Sequence, residues 1–251
     1  MSVRQTPRDF PRERCTTLTM TLTTCRVASY NLQKCVGMDL RRRPDRSLTV
    51  IGALKAQVVV LQEADRRLPP RPAALPHEMV EDDGWTIVPF GQPGGSIGWH
   101  GNAMLVRPGI EIRKTAHIEL PGLEPRGAIR AELDTGIGPL RVIGAHLGLV
   151  RRYRVMQIAA IERHLRDLPD MPTVLTGDFN EWGSVMPLDT VAHGLRFIHG
   201  RLSYPAPRPV ASLDRFALSD HLRFTRTGVH RAQPARVASD HLPVWADLAP
   251  A

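Results

Sequence analysis

Apolar and polar positions follow three patterns along this chain. Residues 26–31 (RVASYN) alternate, as a strand with one covered face does. Residues 57–62 (QVVVLQ) are almost continuously apolar, which predicts a strand covered on both faces. Pro44-Asp45 opens a helix carrying Leu48, Ile51 and Leu54 on one side, and Val155, Ile158, Ile161 and Leu165 form the stripe of a second. Further strands are predicted over 85–90, 102–107, 110–120, 127–135, 140–147, 173–176, 213–218, 222–229 and 242–248. Segments 66–76, 91–101 and 203–209, rich in Gly, Pro or Arg, read as loops. No internal repeat is present. Many strands with few helices between them argue against a doubly wound parallel sheet. They fit two packed sheets with helices outside.

Composition narrows this picture. A chain of 251 residues with 42% hydrophobic and 23% charged residues is ordinary for a globular protein and long enough to bury one large core. Residues 1–24 are basic and Thr-rich without a continuous apolar stretch, so they read as a disordered extension and not a secretory signal. Residues 25–251 then form the folded domain. No run of about 18 apolar residues exists, which excludes a transmembrane helix. Cys15, Cys25 and Cys35 form no even disulfide set and no C-x-x-C pair, so three reduced thiols in a cytoplasmic protein are expected. The net charge of +8 is carried almost wholly by arginine and points weakly to a polyanionic partner.

More informative is where the acidic, amide and histidine side chains fall. Asn31 and Glu63 end or follow apolar strands, His146 sits near the end of RVIGAHL, and Asp178 and Asn180 follow TVLTG. Asp214 begins a strand, and Asp240 and His241 precede LPVWADL. Singly, each reads as a turn, cap or satisfied structural residue. Jointly they supply carboxylates for a hard divalent cation, amides for phosphate oxygens and two imidazoles for proton transfer.

The ordered set SYNLQ, LQEAD, GNAMLVR, GAHLG, TGDFN, LDRF and SDHLPV resembles the endonuclease/exonuclease/phosphatase (DNase I-like) superfamily over about residues 26–248, with GDFN and SDHLPV the most specific motifs. The resemblance implies an α/β fold, a four-layered sandwich of two packed, mostly antiparallel β-sheets flanked by helices. It also implies a Mg2+-dependent phosphodiesterase, with Mn2+ as an alternative cation, that breaks a P–O bond by in-line attack of water. By the same resemblance Glu63, Asp240 and Asn31 are metal-site residues, and Asn31, Asn180 and His241 contact phosphate. His241, Asp178, His146, Asp214 and Asn180 are the catalytic set. Asp214 would orient His241, and either Asp178 or His241 would take the water's proton.

His146 stands where DNase I and the sphingomyelinases have His and abasic-site endonucleases have Tyr. Two positions depart from common family patterns, Gln33 where many members have an acid or His, and Arg215 where nucleases and sphingomyelinases usually have Tyr. Gln33 can ligate only through a neutral carbonyl, so either weaker metal affinity or an additional water ligand is expected. Asn102 is either a family site residue or a turn residue beginning a strand. Arg126 is read as a structural ion pair, and Arg154 with Gln157 as solvated surface residues outside the catalytic set. Three functional classes compete: a phosphoesterase, a non-catalytic phosphate- or nucleic-acid-binding module, and a purely structural role for these polar residues. Nucleic acid, a phospholipid head group and a small phosphorylated metabolite are the substrate classes, and a monomer is expected.

Overall fold

The computed structural model describes residues 24–66, 72–91 and 95–251. The expected extension therefore lies, except for Thr24, outside the described residues, as do Cys15 and parts of the loops expected over 66–76 and 91–101.

The first sheet contains β1 (Cys25–Asn31), β2 (Val58–Gln62), β3 (Thr86–Ile87), β4 (Gly98–Trp99), β5 (Asn102–Val106), β12 (Leu222–Val229) and β13 (Val244–Pro250). Its order is β12-β13-β1-β2-β5-β3, with β4 also paired to β5. The second contains β6 (Glu111–Glu119), β7 (Gly127–Thr135), β8 (Gly138–His146), β9 (Thr173–Asp178), β10 (Arg196–Phe197) and β11 (Asp214–Leu218), in the order β10-β11-β9-β8-β7-β6. Each sheet has one parallel pair, β1/β2 and β8/β9, among antiparallel neighbours.

The apolar run of β2 divides between two cores. Val58 and Val60 join Val27, Met104, Ile129, Val142 and Val174 between the sheets. Val59 and Leu61 face outward against Leu48 and Ile51 of α1 (Pro44–Ala53). On the far side, Ile143, Ala145 and Leu175 meet Ile158 and Ile161 of α3 (Arg151–Arg166). The result is the expected helix, sheet, sheet, helix sandwich. No described helix is long and apolar enough to cross a membrane. Cys25 and Cys35 are buried free thiols, and burial pushes their pKa values up to about 12 and about 11, which makes both unreactive.

Several expectations are corrected locally. The strand expected over 85–90 is only Thr86–Ile87, because Pro89 offers no N–H to a ladder. The loop expected over 91–101 contains β4, which turns back onto β5 through His100 and Gly101 at φ 48° and 79°. The short helices α2 (His77–Asp82), α4 (Met186–Asp189) and α5 (Ala235–Ala238) carry too few turns for a periodic signal. Helix α3 begins at Arg151, one turn before its apolar stripe.

Gly177, beside the end of β9, lets two strands approach closely. Its φ is 152°, and a Cβ there would lie 1.8 Å from the carbonyl oxygen of Ala145. Gly177→Ala is expected to destabilise the fold by roughly 3 kcal/mol or more, lowering Tm by about 6–12 °C in a calorimetric scan.

Candidate active site

The topology gathers the polar strand ends at one edge. The parallel strands β1 and β2 both finish there, delivering Asn31 and the residue after Gln62, which is Glu63. The parallel strands β8 and β9 finish there too, with His146 level with Asp178. Antiparallel β11 starts beside β9, so Asp214 is also level with Asp178. Antiparallel β13 starts beside β1, and the turn before it brings Asp240 and His241. All these residues except Asp214 line one cleft of about 600 Å³, and Asp214 lies directly behind His241.

Asp178 is at the floor of the cleft. One of its carboxylate oxygens, Oδ2, accepts a hydrogen bond from Asn31 Nδ2 at 3.0 Å, and the other accepts the Asn180 N–H at 2.9 Å. His146 Nε2 and His241 Nε2 face Oδ2 at 3.5 and 3.6 Å. His241 Nδ1 meets Asp214 Oδ2 at 2.9 Å, and Ser203 Oγ donates to the same oxygen at 2.5 Å. Ser239 Oγ receives the His241 N–H and donates to the Asn31 carbonyl at 2.7 Å, tying the β13 turn to β1. The ring of Tyr204 lies 4.8 Å from that of His241, with Trp182 edge-on beyond it.

Electrostatics separate the two imidazoles. Burial, reinforced by Arg126, pulls the pKa of His146 down to about 4 against the attraction of Asp178 and Glu63. Burial also opposes charge on His241, but Asp214, through its charge and hydrogen bond, with Asp178 and Asp240, lifts the pKa to about 10. Burial would raise Asp178, yet the imidazoles, the Asn180 N–H and the Asn31 amide hold it below the usual carboxylate range. Burial, with the charge of Asp178, raises Asp214 despite its histidine partner.

A second group of carboxylates lies beside this relay. Burial raises the pKa of Asp240, and the charge of Glu63 adds to it. Glu63 is held low because His146 and the ion-paired Lys34 ammonium outweigh burial. Glu63, Asp240 and Asn31 line the same cleft, with the Asn31 amide oxygen accepting the Gln33 N–H at 3.0 Å, and oxygen donors of this kind would suit a hard divalent cation. Donor atoms of Asp178, Asp214 and His241 also lie within 4.8 Å of one another. That closeness is of another kind, a hydrogen-bonded relay in which the imidazole already engages a carboxylate.

Three expectations change. Gln33 does not present its carbonyl as a ligand, because Oε1 accepts the Asp240 N–H at 3.0 Å. Arg154 and Gln157 are not surface residues but buried braces. Arg154 pairs with the buried Glu181 at 3.0 Å, while Gln157 accepts the Gly148 N–H and donates to the Pro121 carbonyl. Asn102 is fully buried, donates to the Gly127 carbonyl and is not among the cleft-lining residues. Asn180 already gives one amide hydrogen to the Leu147 carbonyl, which fixes its orientation. Arg126 makes the expected ion pair, with Glu124, and lines the cleft as well. Sequence reasoning missed Ser203, Ser239, Glu181, Tyr204 and Lys34. Of these, Ser239 opens SDHLPV, Glu181 directly follows GDFN and Lys34 directly follows SYNLQ.

Comparison with known proteins agrees with this geometry. The Endonuclease/Exonuclease/phosphatase family profile matches residues 28–241. The uncharacterized protein YbhP of Escherichia coli (strain K12) is 31% identical over 188 residues, covering 68% of this chain and 72% of YbhP. The mannosyl-6-phosphatase Bt3783 of Bacteroides thetaiotaomicron superposes with a TM-score of 0.68 at 18% identity, covering 89% of this chain and 99% of its own. TDP2 of D. rerio, solved with a single-strand DNA product, gives 0.69 at 15% identity, covering 90% and 99%. At these identities the two structures establish a shared fold.

In the metal-free protein, imidazole NMR should show His241 still protonated at pH 8 and His146 neutral at pH 6. Asp214→Asn removes the charge that stabilises the imidazolium, so the His241 titration should move to lower pH. An unchanged titration would contradict the pairing.

Proposed function

The chain belongs to the endonuclease/exonuclease/phosphatase family, and on that premise we propose that it is a metal-dependent phosphodiesterase that transfers a phosphoryl centre to water. The observation that carries this reading is Asp178 Oδ2 between two imidazoles, beside the separate oxygen-donor set of Glu63, Asp240 and Asn31. A binding module has no use for a hydrogen-bonded Asp214–His241 pair aimed at a third, buried carboxylate.

Each side chain then has a role. Asp178, ionised and anchored at both oxygens, orients the attacking water and accepts its proton. His241 holds its Nδ1 hydrogen on Asp214, so its Nε2–H donates to a phosphoryl oxygen or to the departing ester oxygen. This arrangement favours Asp178 over His241 as the base. His146, kept neutral, serves as a hydrogen-bond donor to the transition-state oxygens and not as the acid. The new P–O bond comes from water, the ester P–O bond breaks, and the leaving oxygen ends protonated. The Asn180 N–H and the Asn31 amide hold Asp178, and Asn180 lines the same cleft.

Glu63 and Asp240, with the Asn31 oxygen, are the residues that would hold Mg2+ or Mn2+. Such a cation, when bound, neutralises charge at the phosphate and its leaving oxygen. The cleft wall also presents Lys34, Arg66 and Arg126, which suits an anionic diester. Nucleic acid is the substrate class that would use the basic surface most fully, with phospholipid head groups and small phosphorylated metabolites as the other classes the same site fits.

The test is turnover of bis(p-nitrophenyl) phosphate, plasmid DNA and phospholipid with Mg2+, Mn2+ or EDTA. Hydrolysis should require the cation. Asp178→Asn and His241→Gln should each lower kcat by about 10²–10⁴-fold, and Glu63→Ala should abolish metal-stimulated turnover. No metal-stimulated hydrolysis of any diester would return the protein to the binding-module reading. Nucleic-acid binding that falls steeply between about 50 and 200 mM salt would select the nuclease class.

A further inference from the structure

Lys34 reaches the cleft beside Glu63, and none of the steps above uses it. The backbone that delivers it is unusual. Gln33, Lys34 and Cys35 are three successive non-glycine residues in the left-handed region, at φ 46°, 59° and 58°, and Glu63 opposite them has φ 51°. Such residues persist only where their surroundings over-determine them, and they concentrate at functional sites. Here the surroundings are specific. The Leu32 N–H bonds the Gln62 carbonyl at 2.9 Å and the Lys34 N–H bonds the Glu63 carbonyl at 3.1 Å. Arg42 Nη1 grips the Lys34 carbonyl at 2.6 Å, and the fully buried Cys35 anchors the turn from below. The turn holds the lysine stem against Glu63, the carboxylate directly after β2.

The ion pair itself is not buried. The Lys34 and Glu63 side chains are 30% and 26% exposed, so solvent reaches both. A pair so placed is weak and separable, unlike the buried Arg154–Glu181 pair. An ammonium and a divalent cation close to one carboxylate repel each other strongly. The lysine stem is long and flexible, and the anion expected in this cleft is a phosphate.

We propose that Lys34 is an exchangeable counter-ion. It neutralises Glu63 while no divalent cation is present. When a cation takes Glu63, Lys34 is released into the cleft and its ammonium contacts the substrate's phosphate. The phosphate-contact half of this inference rests on the phosphoesterase reading. The competition for Glu63 does not.

The two halves predict changes of opposite sign in one variant, which a merely structural ion pair does not. Lys34→Met keeps the stem and removes the charge. Calorimetric titration of the metal-stripped full chain with MgCl2 should give a Kd about tenfold lower for Lys34→Met than for wild type. Titration of inorganic phosphate at saturating Mg2+ should give a Kd about tenfold higher. Lys34→Asn, a residue that adopts the left-handed region readily, replaces it if Lys34→Met fails to fold and should show the same pair of shifts. Mg2+ affinity that is unchanged or weaker overturns the proposal, and so does unchanged phosphate affinity. Wild-type turnover of bis(p-nitrophenyl) phosphate, measured alongside, separates the two readings. Turnover without the opposed shifts sinks only the role of Lys34, and the opposed shifts without turnover sink only the hydrolase.

Discussion

An ionised carboxylate buried at a sheet edge sets the constraint on which the rest of this site depends. Asp178 is almost wholly inaccessible, and a charge in that position must be compensated or it will protonate. The compensation comes from both sheets. His146 belongs to the same sheet as Asp178, the Asn180 N–H to the loop directly after β9, and Asn31 to the other sheet. His241, from the turn before β13, supplies the nearest positive charge. The charge of Asp178 is therefore sustained only while the two sheets remain packed. The inter-sheet core built from Val27, Val58, Val60, Ile129, Val142 and Val174 thus stands behind the chemistry as directly as the polar residues do.

The same constraint explains the division of labour between the imidazoles. Both face the same oxygen of Asp178 at nearly the same distance, yet their surroundings push them apart. Asp214 backs His241 and stabilises its charge, whereas Arg126 lies near His146 and opposes one. Two groups of identical chemistry thereby take different protonation states, one suited to donate a proton and the other to give a neutral hydrogen bond.

A second tier of ion pairs and hydrogen bonds steadies the loops that carry these residues. Glu181, directly after the GDFN motif, is gripped by Arg154 and by Arg151 from the start of α3. Arg215 donates to the Glu181 carbonyl at 3.1 Å, which gives this position a bracing role away from the substrate. Glu124 accepts the Leu149 N–H at 3.0 Å and pairs with Arg126, so the loop after His146 is tied to the loop between β6 and β7. These contacts convert short surface loops into a fixed rim.

Much of this was legible before any coordinates. Alternation and continuous apolar runs reveal strands because side chains on a strand point to opposite faces, and β2, covered on both faces, is apolar from Val58 to Leu61. The candidate residues were legible because polar side chains at the ends of apolar strands stand out against their surroundings. Short elements such as β4, α4 and α5 were not legible, since a single turn or bridge has no period. Gln33, Arg154 and Gln157 were misread because their partners, Asp240, Glu181 and Gly148, lie 207, 27 and 9 positions away. The sequence by itself determined which residue types the site has and that they sit at strand ends. Only the tertiary structure decided which of them meet, because strand order and register, not position in the chain, set Asp214 and His146 level with Asp178. It also decided their charge, because a pKa depends on burial and on neighbours from other strands.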